Sequence, residues 1–196
     1  MKTPLFPLRT VLYPGGPLPL RIFESRYLDM ISRSMKKDEP FGVLLIRDGS
    51  EIGRAKTYSI GTLAKIIDWY QGSDGVLGVT AIGTTRFRCT SEWRQADGLL
   101  MGDIELLIEP PACVLPEEHG PLADILERVI DDLDRLYAGL DKHYNDAGWV
   151  SYRLAEILPI SPDEKQVLLE TDDPIKRLES MQRAIQFVRS NQPLPT

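Results

Sequence analysis

The chain has 196 residues, 42% of them hydrophobic and 27% charged, with a formal net charge of −6 at neutral pH. That length holds one sizeable domain or two small ones, and the composition is that of an ordinary soluble globular protein. No stretch approaches the roughly 20 consecutive apolar residues of a membrane-spanning helix. The opening MKTPLFPLRT has only a short apolar run broken by proline, which argues against a signal peptide. Cys89 and Cys113 are the only cysteines; they argue against a disulfide framework and fit a reducing compartment, so the expected location is cytoplasmic. Charge is uneven: residues 1–115 carry 14 basic against 13 acidic side chains, and residues 116–196 carry 9 against 16. The acidic second part disfavours non-specific nucleic-acid binding, whose affinity comes mainly from neutralising phosphates.

In chain order, Pro4, Pro7, Pro14, Pro17 and Pro19 each fix φ and remove an amide donor. They predict short extended pieces along the edge of a sheet. Tyr13-Pro14-Gly15-Gly16-Pro17 reads as a turn. From Phe23 on, Phe23, Tyr27, Met30, Ile31 and Met35 recur at helical spacing. Phe41–Ile46 is a continuous apolar run, read as a buried strand, and 47–56, with Gly49 and Gly53, as a loop. Thr57–Gln71 is rich in β-formers, with Ile60, Thr62, Ala64 and Ile66 on one face. Gly61 within it signals a bulge or a close backbone approach. Gly72-Ser73-Asp74-Gly75 is a hairpin turn signal. Val76–Thr90 returns, with a break expected at Gly83 before a second piece, Thr85–Cys89. Leu99–Met101 and Ile104–Ile108 read as a further strand pair around Gly102-Asp103. The expectation is six to eight strands and one early helix.

Glu109-Pro110-Pro111 closes this region. Leu122, Ile125, Leu126, Val129, Ile130, Leu133, Leu136, Tyr137 and Leu140 then follow helical spacing and predict one long amphipathic helix. Trp149–Leu158 predicts a second helix stopped by Pro159. Ser161-Pro162-Asp163-Glu164 combines an N-cap, a proline at the first helical position and a capping box, starting a third. Asp173-Pro174 starts a fourth, with Ile175, Leu178, Met181, Ile185 and Val188 inward, and QPLPT is a frayed tail. The organisation expected is therefore α+β: a β-rich part, 1–115, followed by a helical bundle, 116–196.

Chemistry is marked mostly by absences: no G-x-x-x-x-G-K-[ST] loop for a nucleotide, no G-x-G-x-x-G and no G-x-S-x-G nucleophile elbow. His119 and His143 read as solvated surface histidines, and Asp131, Asp132 and Asp134 as the water-facing side of their helix. Cys89 has Arg86, Arg88 and Arg94 nearby in sequence, and cations lower a thiol pKa. A reactive thiol is one reading, an inert strand cysteine the default. Arg86 and Arg88 share a strand face by the period of two, and Arg21 and Arg26 flank Phe23. These arginines read either as contacts for a carboxylate or phosphate, or as surface partners of Glu24, Glu92 and Asp97. Trp69 and Tyr70, before a hairpin tip, are either binding anchors or core-edge residues.

Three stretches carry a resemblance. P-L-F-P-L-R-x-V-L-Y-P-G followed by P-L-R-I-F-E-x-R-Y resembles the opening of the N-terminal substrate-recognition domain of Lon-type ATP-dependent proteases. Ile60-Gly61-Thr62, Ala64, Ile66, Asp74-Gly75, Gly83 and Arg86-Phe87 are similar to its middle, and LAEILPISPDEKQVLLETDDPIKRLESM to its helical close. The resemblance spans about residues 4–188 and implies a PUA-like β pseudo-barrel with one early helix, followed by an α-helical subdomain. It implies no catalysis here, because the ATPase and Ser–Lys protease modules of those enzymes have no counterpart in these 196 residues. Cereblon-type relatives add a zinc-binding domain, for which no cysteine set occurs. The implied role is a stand-alone module binding unfolded or extended polypeptide, with Tyr13, Arg21, Phe23, Trp69, Tyr70, Arg86 and Arg88 as candidate peptide-binding residues. No metal or other cofactor is expected. Further partners on this reading are a protease or chaperone and a second copy in a weak homodimer; nucleic acid and membrane are not expected. RNA binding by a PUA-like domain and regulation of a full-length protease are the alternatives.

Overall fold

The computed structural model describes residues 1–51, 55–133, 137 and 139–191. Among them are seven strands and five α-helices: β1 Lys2–Leu8, β2 Pro17–Ile22, α1 Ser25–Lys37, β3 Phe41–Gly49, β4 Ala55–Thr57, β5 Ile60–Gln71, β6 Leu77–Arg94, β7 Leu100–Leu106, α2 Gly120–Asp132, α3 Ala147–Ile157, α4 Pro162–Glu170 and α5 Pro174–Asn191. The fold is α+β. It forms two compact units, one of Met1–Glu109 with Ile160–Leu169, the other of Pro110–Pro159 with Glu170–Thr196. The textural division at 115/116 thus has a return segment: α4 belongs with the sheet. No described helix is long and apolar enough to cross a membrane.

In the first unit the strands pair in the order β1-β7-β6-β5-β3-β4, and β1 also pairs with β3, so the sheet curls back on itself. All pairings are antiparallel except β1 with β3. It is not a regular barrel: β2 hangs from β6 alone, and register shifts interrupt the β3–β4, β5–β6 and β6–β7 ladders. The edge position expected of the proline-rich opening holds for β2 and fails for β1. β1 pairs with β7 over Lys2–Leu5 and with β3 over Leu5–Leu8, so the two partnerships overlap only at Leu5. Each of Pro4 and Pro7 therefore has one ladder beside it, and a missing amide there is tolerated.

Phe41–Ile46 is buried throughout, as its apolar run predicts, but the strand continues to Gly49 and β4 occupies part of the expected loop; Gly53 lies outside the described residues. Glycines expected to break strands allow backbones to touch instead. β6 runs unbroken through Gly83, whose amide donates to Gly16 and whose carbonyl accepts from Gly15, both at 2.8 Å. A side chain at Gly83 would collide with the Tyr13 carbonyl, and one at Gly61 with the Val43 carbonyl. β7 likewise runs through Gly102, which leaves room for the Leu5 and Cys89 side chains; the turn lies earlier, where Gly98 adopts φ +84°.

The larger apolar core gathers Phe6, Leu12, Tyr27, Met30, Ile31, Phe41 and Val79, with Phe6 stacked on Tyr27 at 4.0 Å between centroids. A second cluster centres on Leu5, Leu44 and Phe87. α1 buries Tyr27, Met30, Ile31 and Ser34. The stripe predicted from sequence is thus rotated. Phe23 precedes the helix, whose N-cap is Glu24, and it is exposed together with Met35.

In the second unit the single long helix of the expectation is shorter. α2 ends at Asp132, where the Leu133 amide donates to both Val129 and Ile130 at 3.1 Å, and the Leu133 side chain is exposed. Asp134, Leu136, the side chain of Val188 and the QPLPT tail lie outside the described residues. Tyr137 is buried and donates its hydroxyl to Glu156 at 3.1 Å. His119 is not a surface residue: it is 3% exposed, because its prolines frame a turn of 3-10 helix, Glu117–His119, that carries the ring inward. α3 starts on Asp146, whose side chain accepts from the Trp149 amide at 2.7 Å. α4 shows the predicted capping box, the Glu164 carboxylate accepting from the Ser161 amide at 2.8 Å and hydroxyl at 2.7 Å.

Candidate functional site

The seven candidate residues separate into buried and exposed sets. Tyr13 is fully buried, its hydroxyl donating to the Lys165 carbonyl at 2.7 Å. Arg86 is 0% exposed: its Nε donates to the Glu109 carboxylate at 2.7 Å and its Nη1 to the Leu169 carbonyl at 2.9 Å. Both residues hold α4 against the sheet, and neither faces solvent. The expected shared face of Arg86 and Arg88 does not exist as a surface, since α4 covers Arg86 and leaves Arg88 exposed.

Arg21, Phe23, Trp69 and Tyr70 are exposed. Arg21 and Phe23 come together on a cleft of about 430 Å³ between β2 and the ends of β1 and β3. Phe6, Leu8, Pro19 and Ile22 contribute its apolar lining, and Phe23, 66% exposed, stands at its lip. The cleft is formed by a short edge strand, β2, lying apart from the end of β1, with α1 entering at Glu24 to carry Tyr27 into the same wall.

Trp69 lies elsewhere. Cross-strand registers place Leu20, Val79 and Trp69 in one row and Arg21, Gly78 and Tyr70 in the next. Adjacent rows point to opposite faces. Val79 is in the core, and Trp69, at the open end of that face, lines a shallow apolar groove of about 300 Å³ with Leu28, Met35 and Leu77. Tyr70 lies across Gly78, where any side chain would strike its ring. Its aromatic face thus covers bare backbone, a structural duty that accounts for its position.

Charges around the cleft are already engaged. Arg21 pairs with Asp74, and Glu24 with Arg26 at 2.6 Å. Arg9 donates to the Gly49 carbonyl at 2.6 Å, and its amide to Glu51 at 2.9 Å. The Val76 amide, and then Arg21, hold the Asp74 carboxyl below its ordinary range. Burial pushes the Tyr27 phenol up. The Cys89 thiol moves the wrong way for a nucleophile, raised by burial and then by Glu92. Of the acids expected to pair with arginines, Glu24 does so; Glu92 accepts from Thr57 at 3.3 Å, and Asp97 from the Leu99 amide at 2.9 Å. Among the described residues no group of three or more His, Cys, Asp or Glu side chains is placed to hold a metal.

Pro19, Tyr27, Leu28, Met35 and Gly78 are further contributors to these surfaces. Pro19 alone had a local signal, sharing strand parity with Arg21.

A family model for the ATP-dependent protease La (LON) substrate-binding domain matches residues 2–186. The Lon protease of Paraburkholderia phytofirmans is 26% identical over 196 residues, an alignment covering 92% of this chain and 24% of that protein. Protein cereblon of Xenopus tropicalis is 30% identical over 119 residues, covering 59% of this chain and 25% of that protein. The chain thus spans about a quarter of the length of such curated relatives. A solved structure described as a Lon N-terminal domain protein from Xanthomonas campestris superimposes with a TM-score of 0.77 at 37% identity, covering 93% of this chain and 98% of that one. The N-terminal domain of a Mycobacterium avium complex Lon protease, at 15% identity and a TM-score of 0.63, shares the fold. The chain belongs to the family of Lon substrate-binding domains.

Proposed function

We propose that this chain is a non-catalytic module that binds unfolded or extended polypeptide at the cleft beside β2, serving substrate recognition for a protease partner. The carrying observation is that cleft: about 430 Å³, walled by apolar side chains, with Phe23 left 66% exposed at its mouth. A large aromatic in water beside an apolar cleft is the arrangement of a binding anchor. The family match and the substrate-binding description of that family support the same reading. We read the curled sheet as a PUA-like pseudo-barrel whose side strand, β2, frames the site. Trp69 and its groove form a second, smaller apolar surface for the same client, while Arg88 contributes to neither.

The test is titration of the folded chain with a permanently unfolded, carboxymethylated model protein. Saturable binding at tens of micromolar or tighter is expected, with Phe23→Ser weakening it about tenfold, roughly 1.4 kcal/mol. No saturable binding by a chain shown to be folded overturns the proposal. An RNA ligand would instead show binding that falls steeply with salt.

A further inference from the structure

The cleft runs along the open edge of β2, so a bound chain has two ways in: adding a strand to β2, or inserting a side chain. We infer that it enters by side-chain insertion, from a segment uncharged around the inserted residue, and that β2 takes no added strand. This rests on the protein-binding reading above and specifies its mode.

β2 pairs with β6 in the register Pro17↔Ile82 through Ile22↔Leu77, and the ladder is extended by the Gly83 amide donating to Gly16 at 2.8 Å. In an antiparallel pair, alternate residues turn their backbone groups toward the partner. Gly16, Leu18, Leu20 and Ile22 therefore face β6, and Pro17, Pro19 and Arg21 face outward. Two of the three outward positions are prolines with no amide to give. The open edge thus offers carbonyls and a single donor, which is how edge strands are protected from pairing. An added strand would leave its own carbonyls opposite Pro17 and Pro19 without donors, and an unmade bond in a desolvated cleft is costly.

The side-chain walls point the other way. Phe6, Leu8, Ile22 and Phe23 give the cleft an apolar surface that needs no main-chain partner. Among the described residues its charged lining is two cations, Arg9 and Arg21, and two carboxylates, Glu24 and Glu51. Arg21 and Glu24 are ion-paired with Asp74 and Arg26, and Arg9 and Glu51 are held by neutral backbone groups, the Gly49 carbonyl and the Arg9 amide. Among the described lining residues the two signs balance, so a charged group brought in by a ligand meets no net opposite charge, while it still loses water. Complementarity therefore favours a neutral segment.

The experiment uses the full chain and four fluorescein-labelled ten-residue peptides. One is a neutral Ser/Thr/Gln peptide with a central pair of Phe residues. The second is the same peptide N-methylated at alternate backbone positions, and the third and fourth place Asp or Lys beside each Phe. By anisotropy, the plain and N-methylated peptides are expected to bind within about twofold of each other. The charged versions are expected to bind at least fivefold more weakly, and affinity to change less than twofold between about 50 and 500 mM salt. Loss of binding on N-methylation alone overturns the inference in favour of strand addition, and does so without any protein variant. Binding of the carboxymethylated protein with no discrimination among the peptides overturns it while leaving the proposed function standing. If neither the protein nor any peptide binds, the functional reading itself fails. A wild-type dimer in sedimentation that Phe23→Ser converts to monomer would show a second copy in the cleft and would also overturn the inference.

Discussion

Arg86 and Phe23 reversed the places that local pattern assigns them. An arginine on a strand reads as surface, and a phenylalanine at helical spacing from Tyr27 reads as core; here the guanidinium is fully buried and the ring is in water. Arg86 is satisfied because two acceptors, Glu109 and the Leu169 carbonyl, converge on it from distant points in the chain. Removing one partner of a buried pair leaves the other desolvated, at about 3–5 kcal/mol. Glu109 is about a third exposed and regains some water, so Arg86→Met is expected to cost about 3 kcal/mol, the lower end of that range. Urea denaturation measures it, with Arg88→Met as the exposed control, expected within about 0.5 kcal/mol of wild type. A loss for Arg86→Met no larger than the control's would show that the buried pair contributes nothing to stability. No feature of residues 84–90 alone distinguishes the two arginines.

Among the elements, α4 departs most from the linear order of the chain. Its start was legible in Ser161-Pro162-Asp163-Glu164, and the capping box forms as written. Its destination was not. Tyr13 donates to Lys165, Gln166 to Ile60 at 2.9 Å and Arg86 to Leu169, while Leu168 and Leu169 are buried. The groups that receive α4 lie between about 80 and 150 residues earlier in the sequence, beyond any local pattern. A fragment of residues 1–115 therefore lacks a part of its own unit and is expected to lose cooperative thermal unfolding. Adding a peptide of residues 159–171 is expected to restore it, read by near-ultraviolet circular dichroism. A fragment that melts cooperatively without the peptide would show that α4 is dispensable. The Glu164 carboxyl is held down by the Ser161 hydroxyl and amide. A depressed acid contributes stability above its unfolded pKa that is lost as pH falls through the folded value. The helix start is thus weakened only below the ordinary value of 4.5.

For the whole molecule, two buried phenols set a limit on the alkaline side. Burial pushes up the phenols of Tyr27 in the first unit and Tyr137 in the second, and Glu156 adds to the shift of Tyr137. A raised folded pKa means that the native state holds its proton longer than the unfolded chain. The associated stability is full below the unfolded value of 10.0 and lost as pH rises past it. The urea midpoint is expected to stay level from about pH 7 to 9 and to fall between about pH 10 and 12, less steeply in Tyr137→Phe. An unchanged midpoint at about pH 11 would contradict the burial of both phenols.

Sequence by itself determined the class of fold, the starts of α4 and α5 and the hairpin turn, and three ordered stretches pointed to the family. These are carried by short-range chemistry: periodicity, proline and glycine stereochemistry, and capping boxes that act over a few residues. Tertiary structure alone decided which faces were covered. It placed β1 inside the sheet, laid α4 over Tyr13 and Arg86, turned His119 inward, and left Phe23 at the lip of a cleft. The reason is physical: burial is a property of the partner that packs against a residue, and those partners come from segments far away in the chain.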